Sequence, residues 1–161
     1  MTKSLENLNG KDFEMTFLQD MMVHHQAASQ MAQLVLTHTK RPQLQTLAQN
    51  IIRTQSSEMA EMSTWLTQWY GAKPVSDPMA VPGMRDMMRS MEQLKTVYGA
   101  SFDTQFLTMM SQHHQAAINM ANLLPSKTRR PELLQLGQNI IQAQSAEIQQ
   151  MQTWQKEWFP S

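Results

Sequence analysis

The chain has 161 residues, 13 basic and 13 acidic side chains, and a formal net charge of +0. This length suits a single domain with its own core, and the even charge gives no reason to expect nucleic acid or an acidic membrane surface as a partner. The chain contains 0 cysteines and 16 methionines, which excludes disulfides and thiolate metal sites and leaves thioether sulfur as an abundant soft donor.

An apolar stripe predicts the first long helix, from about Lys11 to Thr37. Its members recur alternately four and three residues apart, which is the spacing of a helix packed along a narrow seam. They are Phe17, Met21, His24, Ala28, Met31 and Val35. Pro42 then suits the first turn of the next helix. We expect His38 at the surface of this turn, and Arg41 at a solvated corner.

A second stripe predicts a helix from Pro42 to about Tyr70, with Gln55 and Glu58 among apolar members. The other members are Leu44, Leu47, Ile51, Met62, Trp65 and Trp69. The short turn forces the two helices to run antiparallel. Folding them about Lys40 places His24 level with Gln55 and Glu58, and Met21 level with Met62.

Residues 72–101 are predicted to be a connector, a loop to Gly83 and then a short helix from Met84 to about Tyr98. Met84, Met88 and Met91 can form one stripe of that helix, and Met87 widens it. Because a packed crossover helix needs only one narrow stripe, we expect core packing for Met88 and Met91. We expect an auxiliary soft-metal site made by Met79, Met84 and Met87.

The two predicted helices then recur. Residues 13–71 align with residues 102–160 at a constant offset of 89 without a gap, and roughly half of the aligned positions are identical, which indicates an internal duplication of a large unit. Trp65, Trp69, Trp154 and Trp158 recur at helix ends as expected core caps, and Arg130 recurs at the second turn. No apolar run reaches the roughly 18 residues of a membrane span. The expected fold is a single all-α domain, a ferritin-like antiparallel four-helix bundle of two duplicated hairpins.

A histidine pair lies at the centre of each copy, next to methionine. Methionine at position i and histidines at i+3 and i+4 project from one face of a helix, and neutral imidazole with thioether suits Cu(I) and its relative Ag(I). The predicted ligands are Met21, His24, His25, Met110, His113 and His114. Because neighbouring residues lie about 100° apart around a helix, we expect His24 and His113 to point inward. His25 and His114 are then expected to be edge ligands or contacts between the helices of a pair. Additional ligands or orienting partners are expected among Glu58, Met62, Glu147 and Met151.

Other interpretations of the same residues remain open. The buried His–Glu–Gln set can be a purely structural network in a helical interaction module, and a metalloenzyme is a weaker third reading. A di-iron centre is disfavoured because no Glu-x-x-His occurs, and a zinc hydrolase because His-Glu-x-x-His is absent. We therefore expect a binding protein and not an enzyme.

Two long motifs resemble a known bacterial family. The first runs from Phe17-Leu18 through Met31-Ala32 and again from Phe106-Leu107 through Met120-Ala121; the second contains Gln55, Glu58, Met62 and Trp65, repeated at Gln144, Glu147, Met151 and Trp154. The chain is similar to the CopM-like family of periplasmic copper-binding, ferritin-like bundles. This resemblance implies a periplasmic or secreted protein, whose leader we expect to have been removed. It also implies binding of Cu(I), Cu(II) or Ag(I) as a buffer or carrier in copper tolerance. A metal-efflux or copper-sensing protein is a candidate partner.

Overall fold

The computed structural model describes residues 2–160, and the regular structure within this range is helical throughout. The helices are α1 (Thr2–Glu6), α2 (Gly10–His38), α3 (Pro42–Tyr70), α4 (Met84–Leu94), α5 (Gly99–Ala121), α6 (Leu124–Lys127) and α7 (Pro131–Trp158). A short 3-10 turn spans Pro78–Ala80. The predicted all-α bundle is confirmed, and no helix in the described range is long and apolar enough to cross a membrane.

The helix ends follow the proline and glycine signals of the sequence. Pro42 lies in the first turn of α3, where its missing N–H leaves no hydrogen bond unmade. At the other end, Gly71 adopts a left-handed conformation with φ of 60° and its N–H bonds to the carbonyl oxygens of Leu66 and Thr67. This is the conformation that glycine tolerates best and that commonly ends helices. The first hairpin therefore has the predicted boundaries to within a residue or two.

The second hairpin departs from the first at the end of α5. The long helix stops at Ala121, and a four-residue helix, α6, follows with Pro125 in its first turn. Proline lacks the N–H that would bond to Ala121, and its ring clashes with that carbonyl group. The first hairpin has Leu36 at the position 89 residues earlier, inside the unbroken α2. One substitution thus accounts for the break, which the sequence analysis did not anticipate.

The four long helices pack with α2 beside both α3 and α5, and with α5 beside α7. Two apolar clusters fill opposite ends of this bundle. Phe13 and Phe17 of α2 belong to the first cluster, and Phe102 and Phe106 of α5 to the second. Since each cluster combines the beginning of one of these helices with the end of the other, α2 and α5 run antiparallel, and their middles meet between the clusters.

The connector helix α4 packs against α2 and α5. It begins after Gly83, whose φ of 86° lies in the left-handed region. Met84 and Met91 are buried in a third apolar cluster that also contains Val23 and Ala27 of α2. Met88 is half-buried at the edge of the same cluster. The connector is therefore attached to the bundle beside the middle of α2.

The two turn arginines do not lie at solvated corners. Arg41 Nε donates to Asp103 Oδ2 at 2.8 Å, and its guanidinium group lies 4.1 Å from the ring centre of Trp158. Arg130 Nε donates to Glu14 Oε1 at 3.2 Å, and its guanidinium group lies 4.1 Å from the ring centre of Trp69. Each arginine thus joins the turn of one hairpin to the open end of the other.

The tryptophans lie where the sequence places them, at the helix ends, and are partly buried. They stack in two pairs, Trp65 on Trp69 and Trp154 on Trp158. His38 is not a free surface residue, because its ring stacks on Tyr98 and its Nε2 atom lies 3.0 Å from the carbonyl oxygen of Lys95. The ring therefore fastens the end of α2 to the connector.

Candidate metal centre

A layer of polar side chains crosses the bundle between the two apolar clusters. It consists of His24, His25, Gln55, Glu58, His113, His114, Gln144 and Glu147, all buried except the half-buried Glu147. The sequence analysis placed His24 level with Gln55 and Glu58, and the structure brings the sets of both copies to one level of the bundle. Because polar groups inside a protein are costly unless they find partners, their contacts define what the layer can do.

Two histidine–glutamate pairs form one part of the layer. His25 Nε2 lies 2.6 Å from Glu58 Oε1, and His114 Nε2 lies 2.6 Å from Glu147 Oε1. The sequence analysis expected His24 beside Glu58 and expected His25 and His114 at the edge. The placement of His24 beside Glu58 and the edge position are wrong, because both second histidines are fully buried and it is His25 that contacts Glu58. Their alternative expected role, as contacts between the two helices of a pair, agrees with the structure. The buried face of α2 is wider than a narrow seam, as expected for a helix with close neighbours on two sides.

The first histidine of each pair faces the other hairpin. The rings of His24 and His113 stack with their centres 3.5 Å apart and their planes within 4° of parallel. His113 Nε2 donates to the carbonyl oxygen of His24 at 2.8 Å. With its proton on Nε2, the neutral His113 ring carries its lone pair on Nδ1. His24 Nε2 is buried and has no hydrogen-bond partner.

Burial keeps both stacked rings uncharged. Loss of solvent lowers the pKa of His113 from 6.5 to about 3, with the hydrogen bond to the His24 carbonyl opposing the change. The pKa of His24 is also lowered well below its ordinary value, first by burial and then by the neighbouring His113. Because a metal binds the lone pair of neutral imidazole, these rings are in their ligand form across the physiological pH range.

An open cavity of about 340 Å³ lies against this stack, between α4, α2 and α5. We call it the methionine cavity, because Met84, Met87 and Met109 line it together with His24 and His113. The sequence analysis placed the histidine sites and the connector methionines apart. The structure brings four of those residues together and adds Met109, which sequence reasoning missed. Met109 lies four residues before His113 on the same helix face, so its spacing was a usable signal.

The remaining predicted ligands lie elsewhere. Met21 is fully buried in the apolar cluster that contains Met62, and Met110 in the cluster that contains Met151. None of these four lines the methionine cavity, and their ligand role stays a prediction. Met79 is 43% exposed on the 3-10 turn and is also absent from the cavity wall, so the structure separates it from Met84 and Met87.

The donor set of the methionine cavity fits a soft ion. In the described part of the chain, no three histidine, aspartate or glutamate side chains converge as a metal site, so a metal there depends on thioether sulfur. Its two imidazoles and three thioethers are donors that Cu(I) and Ag(I) prefer, and the one carboxylate in the wall, that of Asp86, is the donor that harder cations would prefer. The Nε2 atom of His24 is engaged in no hydrogen bond within the protein, so no existing bond would have to break for a metal to bind there.

Comparisons with known proteins agree with this architecture. A family model described as a domain of unknown function, DUF305, matches residues 4–155. No curated protein matches the chain. The solved structure of CopM in its Cu(II)-bound form is 38% identical, with a TM-score of 0.80, and the match covers 91% of this chain and 97% of CopM.

Two further structures give similar values. CopM in an Ag-bound form is 38% identical with a TM-score of 0.78, and the match covers 91% of this chain and 96% of CopM. A candidate secreted DUF305 protein from Streptomyces coelicolor is 29% identical with a TM-score of 0.77, and the match covers 91% of this chain and 92% of that protein.

Proposed function

This chain is a member of the DUF305 family, and on that premise we propose that it binds copper, as Cu(I) or Cu(II), and silver through methionine and histidine. The observation that carries the proposal is the methionine cavity, whose wall contains three thioethers and His24, a residue with an unpartnered ring nitrogen. CopM, whose fold this chain shares, has been solved in Cu(I)-, Cu(II)- and Ag-bound forms. Soft donors in a cavity of this kind are suited to the monovalent ions above all.

The protein acts as a metal buffer or carrier and not as an enzyme. The cavity opens to solvent beside a short connector helix, so an ion reaches the thioethers and leaves them without unfolding of the bundle. Thioethers are neutral, and their bonds to soft ions carry no proton exchange, which allows rapid transfer to a partner. A periplasmic or secreted location and a role in copper tolerance fit a buffer of this kind, with an efflux or sensing protein as its recipient.

The histidine–glutamate pairs support a second, structural role within the same layer. Each pair makes a short hydrogen bond at 2.6 Å between neighbouring long helices, buried for His25 and part-buried for His114, which opposes any slip of one helix along the other. This is the network that a purely helical interaction module would need. It involves His25 and His114, whereas the proposed metal ligands are His24 and His113, so the two roles occupy different residues.

Silver binding separates the two roles. Changing Met84, Met87 and Met109 together to Leu keeps the apolar volume of the cavity wall roughly constant and removes the sulfur atoms. We expect Ag(I) affinity, measured by competition with a chromogenic chelator, to fall by at least roughly a hundredfold, that is about 2.7 kcal/mol. The matched control changes Met31 and Met120, two fully buried methionines outside the cavity, to Leu. Equal silver binding by both variants would refute the cavity as the site.

A further inference from the structure

A second cavity lies on the other side of the histidine layer, between α3 and α7. It has a volume of about 10 Å³, which is the room of a single water molecule or ion. Its polar wall comes from Thr54, Gln55 and Glu58 of α3 and from Gln144 and Glu147 of α7. We call it the oxygen cavity, because it has no sulfur and no imidazole in its wall.

Two amide oxygens at this cavity have no partner. Gln55 is 2% exposed and Gln144 is 4% exposed, and the Oε1 atom of each is buried without a hydrogen bond. A buried acceptor without a donor is a desolvation cost that folded proteins rarely leave unmet. The same unmet acceptor occurs twice, on the two helices that line this one small cavity.

The two carboxylates are held in place by the histidines behind them. In each glutamate, one oxygen atom pairs with a histidine Nε2 atom at 2.6 Å. That bond leaves the second carboxylate oxygen of each glutamate without a histidine partner and fixes the direction of the group, as hydrogen-bonded partners do for metal ligands. In this arrangement the histidines orient the glutamates, whereas the sequence analysis expected the glutamates to orient the histidines.

The charges and the hydrogen-bond acceptors of the two glutamines and two glutamates select the occupant. Gln55 and Gln144 each have an unpartnered acceptor oxygen, and Glu58 and Glu147 add two carboxylates, so that acceptors predominate over the single hydroxyl of Thr54. A water molecule has two protons and can satisfy two of the four acceptors, whereas a divalent cation attracts all four. Hard divalent cations such as Mn²⁺, Mg²⁺ and Ca²⁺ prefer carboxylate and amide oxygen. We propose that the oxygen cavity is a divalent-cation site formed by Gln55, Glu58, Gln144 and Glu147, separate in position and chemistry from the methionine cavity.

Manganese is the probe, because the electron paramagnetic resonance signal of the free hydrated ion disappears when the ion binds. We expect wild-type protein to bind a single Mn²⁺ per chain. Changing Gln55 and Gln144 to Leu removes both amide oxygens, and we expect Mn²⁺ affinity to fall by at least roughly tenfold. The control changes Gln49 and Gln138, exposed glutamines on the same two helices, to Leu and should bind Mn²⁺ as wild type does.

A gain of affinity gives an independent readout. Gln55→Glu adds a third carboxylate to the cavity, and we expect it to tighten Mn²⁺ binding by roughly tenfold. The double-Leu variant should keep wild-type silver binding, which shows that it is folded and that the methionine cavity is intact. The proposal is overturned if wild-type protein fails to bind Mn²⁺ at millimolar concentration, or if the double-Leu variant binds it as the control does. Neither result would affect the proposed silver and copper site.

Discussion

Replacement of Asp20 by Asn should stabilise the protein at neutral pH. This side chain is 6% exposed, its Oδ2 atom has no hydrogen-bond partner, and burial raises its pKa from 3.8 to about 6. Because the carboxyl group is harder to ionise in the folded state than in the unfolded state, ionisation favours unfolding. The contribution of the Asp20 carboxyl group to the free energy of unfolding is greatest below pH 4. It declines as the pH rises towards 6 and stays at its lower value above that. Because each unit of pKa shift corresponds to about 1.4 kcal/mol, the shift from 3.8 to about 6 lowers the free energy of unfolding by about 3 kcal/mol.

Asn has nearly the same shape and cannot ionise, so the Asn variant avoids this loss. We expect it to exceed wild type in free energy of unfolding by about 3 kcal/mol at pH 7.5, and to differ little at pH 4. Urea unfolding followed by tryptophan fluorescence at the two pH values measures the difference. Other groups that titrate in this range are common to both proteins and cancel. A difference that is equal at both pH values, or a less stable variant at pH 7.5, would show that burial of Asp20 is not what sets its pKa.

Three further predictions concern binding, the polar layer and the bundle ends. Silver affinity should change little between pH 8 and pH 5, because the stacked histidines lose no proton on binding. A site built on an isolated histidine with a pKa of 6.5 would lose roughly 30-fold in affinity over that range. A loss of that size would contradict the assignment of His24 and His113 as uncharged ligands. Glu58→Ala should destabilise the protein by about 2–3 kcal/mol, because it leaves His25 buried without its acceptor, whereas the exposed Glu61→Ala should have almost no effect in the same urea titration. Arg130→Ala should cost about 1–2 kcal/mol through the lost ion pair and its contact with Trp69, and an unchanged melting temperature would show that the turns are not joined by this contact.

Much of the fold follows from local signals in the sequence. Pro42 and Pro131 occupy the first turns of α3 and α7, as the missing N–H of proline requires. The alternating stripe through Phe17, Met21 and Val35 predicted residues that are all fully buried. These features depend on neighbouring residues of one helix, which the sequence displays directly. Pro125 is an equally local signal for the break after α5, but the sequence analysis treated this helix as a repeat of the unbroken α2 and did not predict the break.

The arrangement of the site depends on packing that a helix pattern does not determine. Spacing placed His24 and His25 on α2, yet only the positions of α3 and α5 decide which ring meets Glu58 and which stacks on His113. The methionine cavity forms because α4 lies across α2 and α5, and nothing in the spacing of the connector indicates where it docks. The sequence therefore indicated which side chains are candidate metal donors, but it did not indicate which of them lie together in one site.

Methyl resonances of methionine offer the most direct measurement of the central claim. In protein labelled with ¹³C at the methionine methyl groups, each thioether reports separately on whether a soft ion binds to its sulfur. On addition of one equivalent of Ag(I), we expect the resonances of Met84, Met87 and Met109 to shift and those of Met31 and Met120 to remain in place. Shifts confined to the core methionines Met21 and Met110, or no shift at any methionine, would contradict the methionine cavity as the metal site.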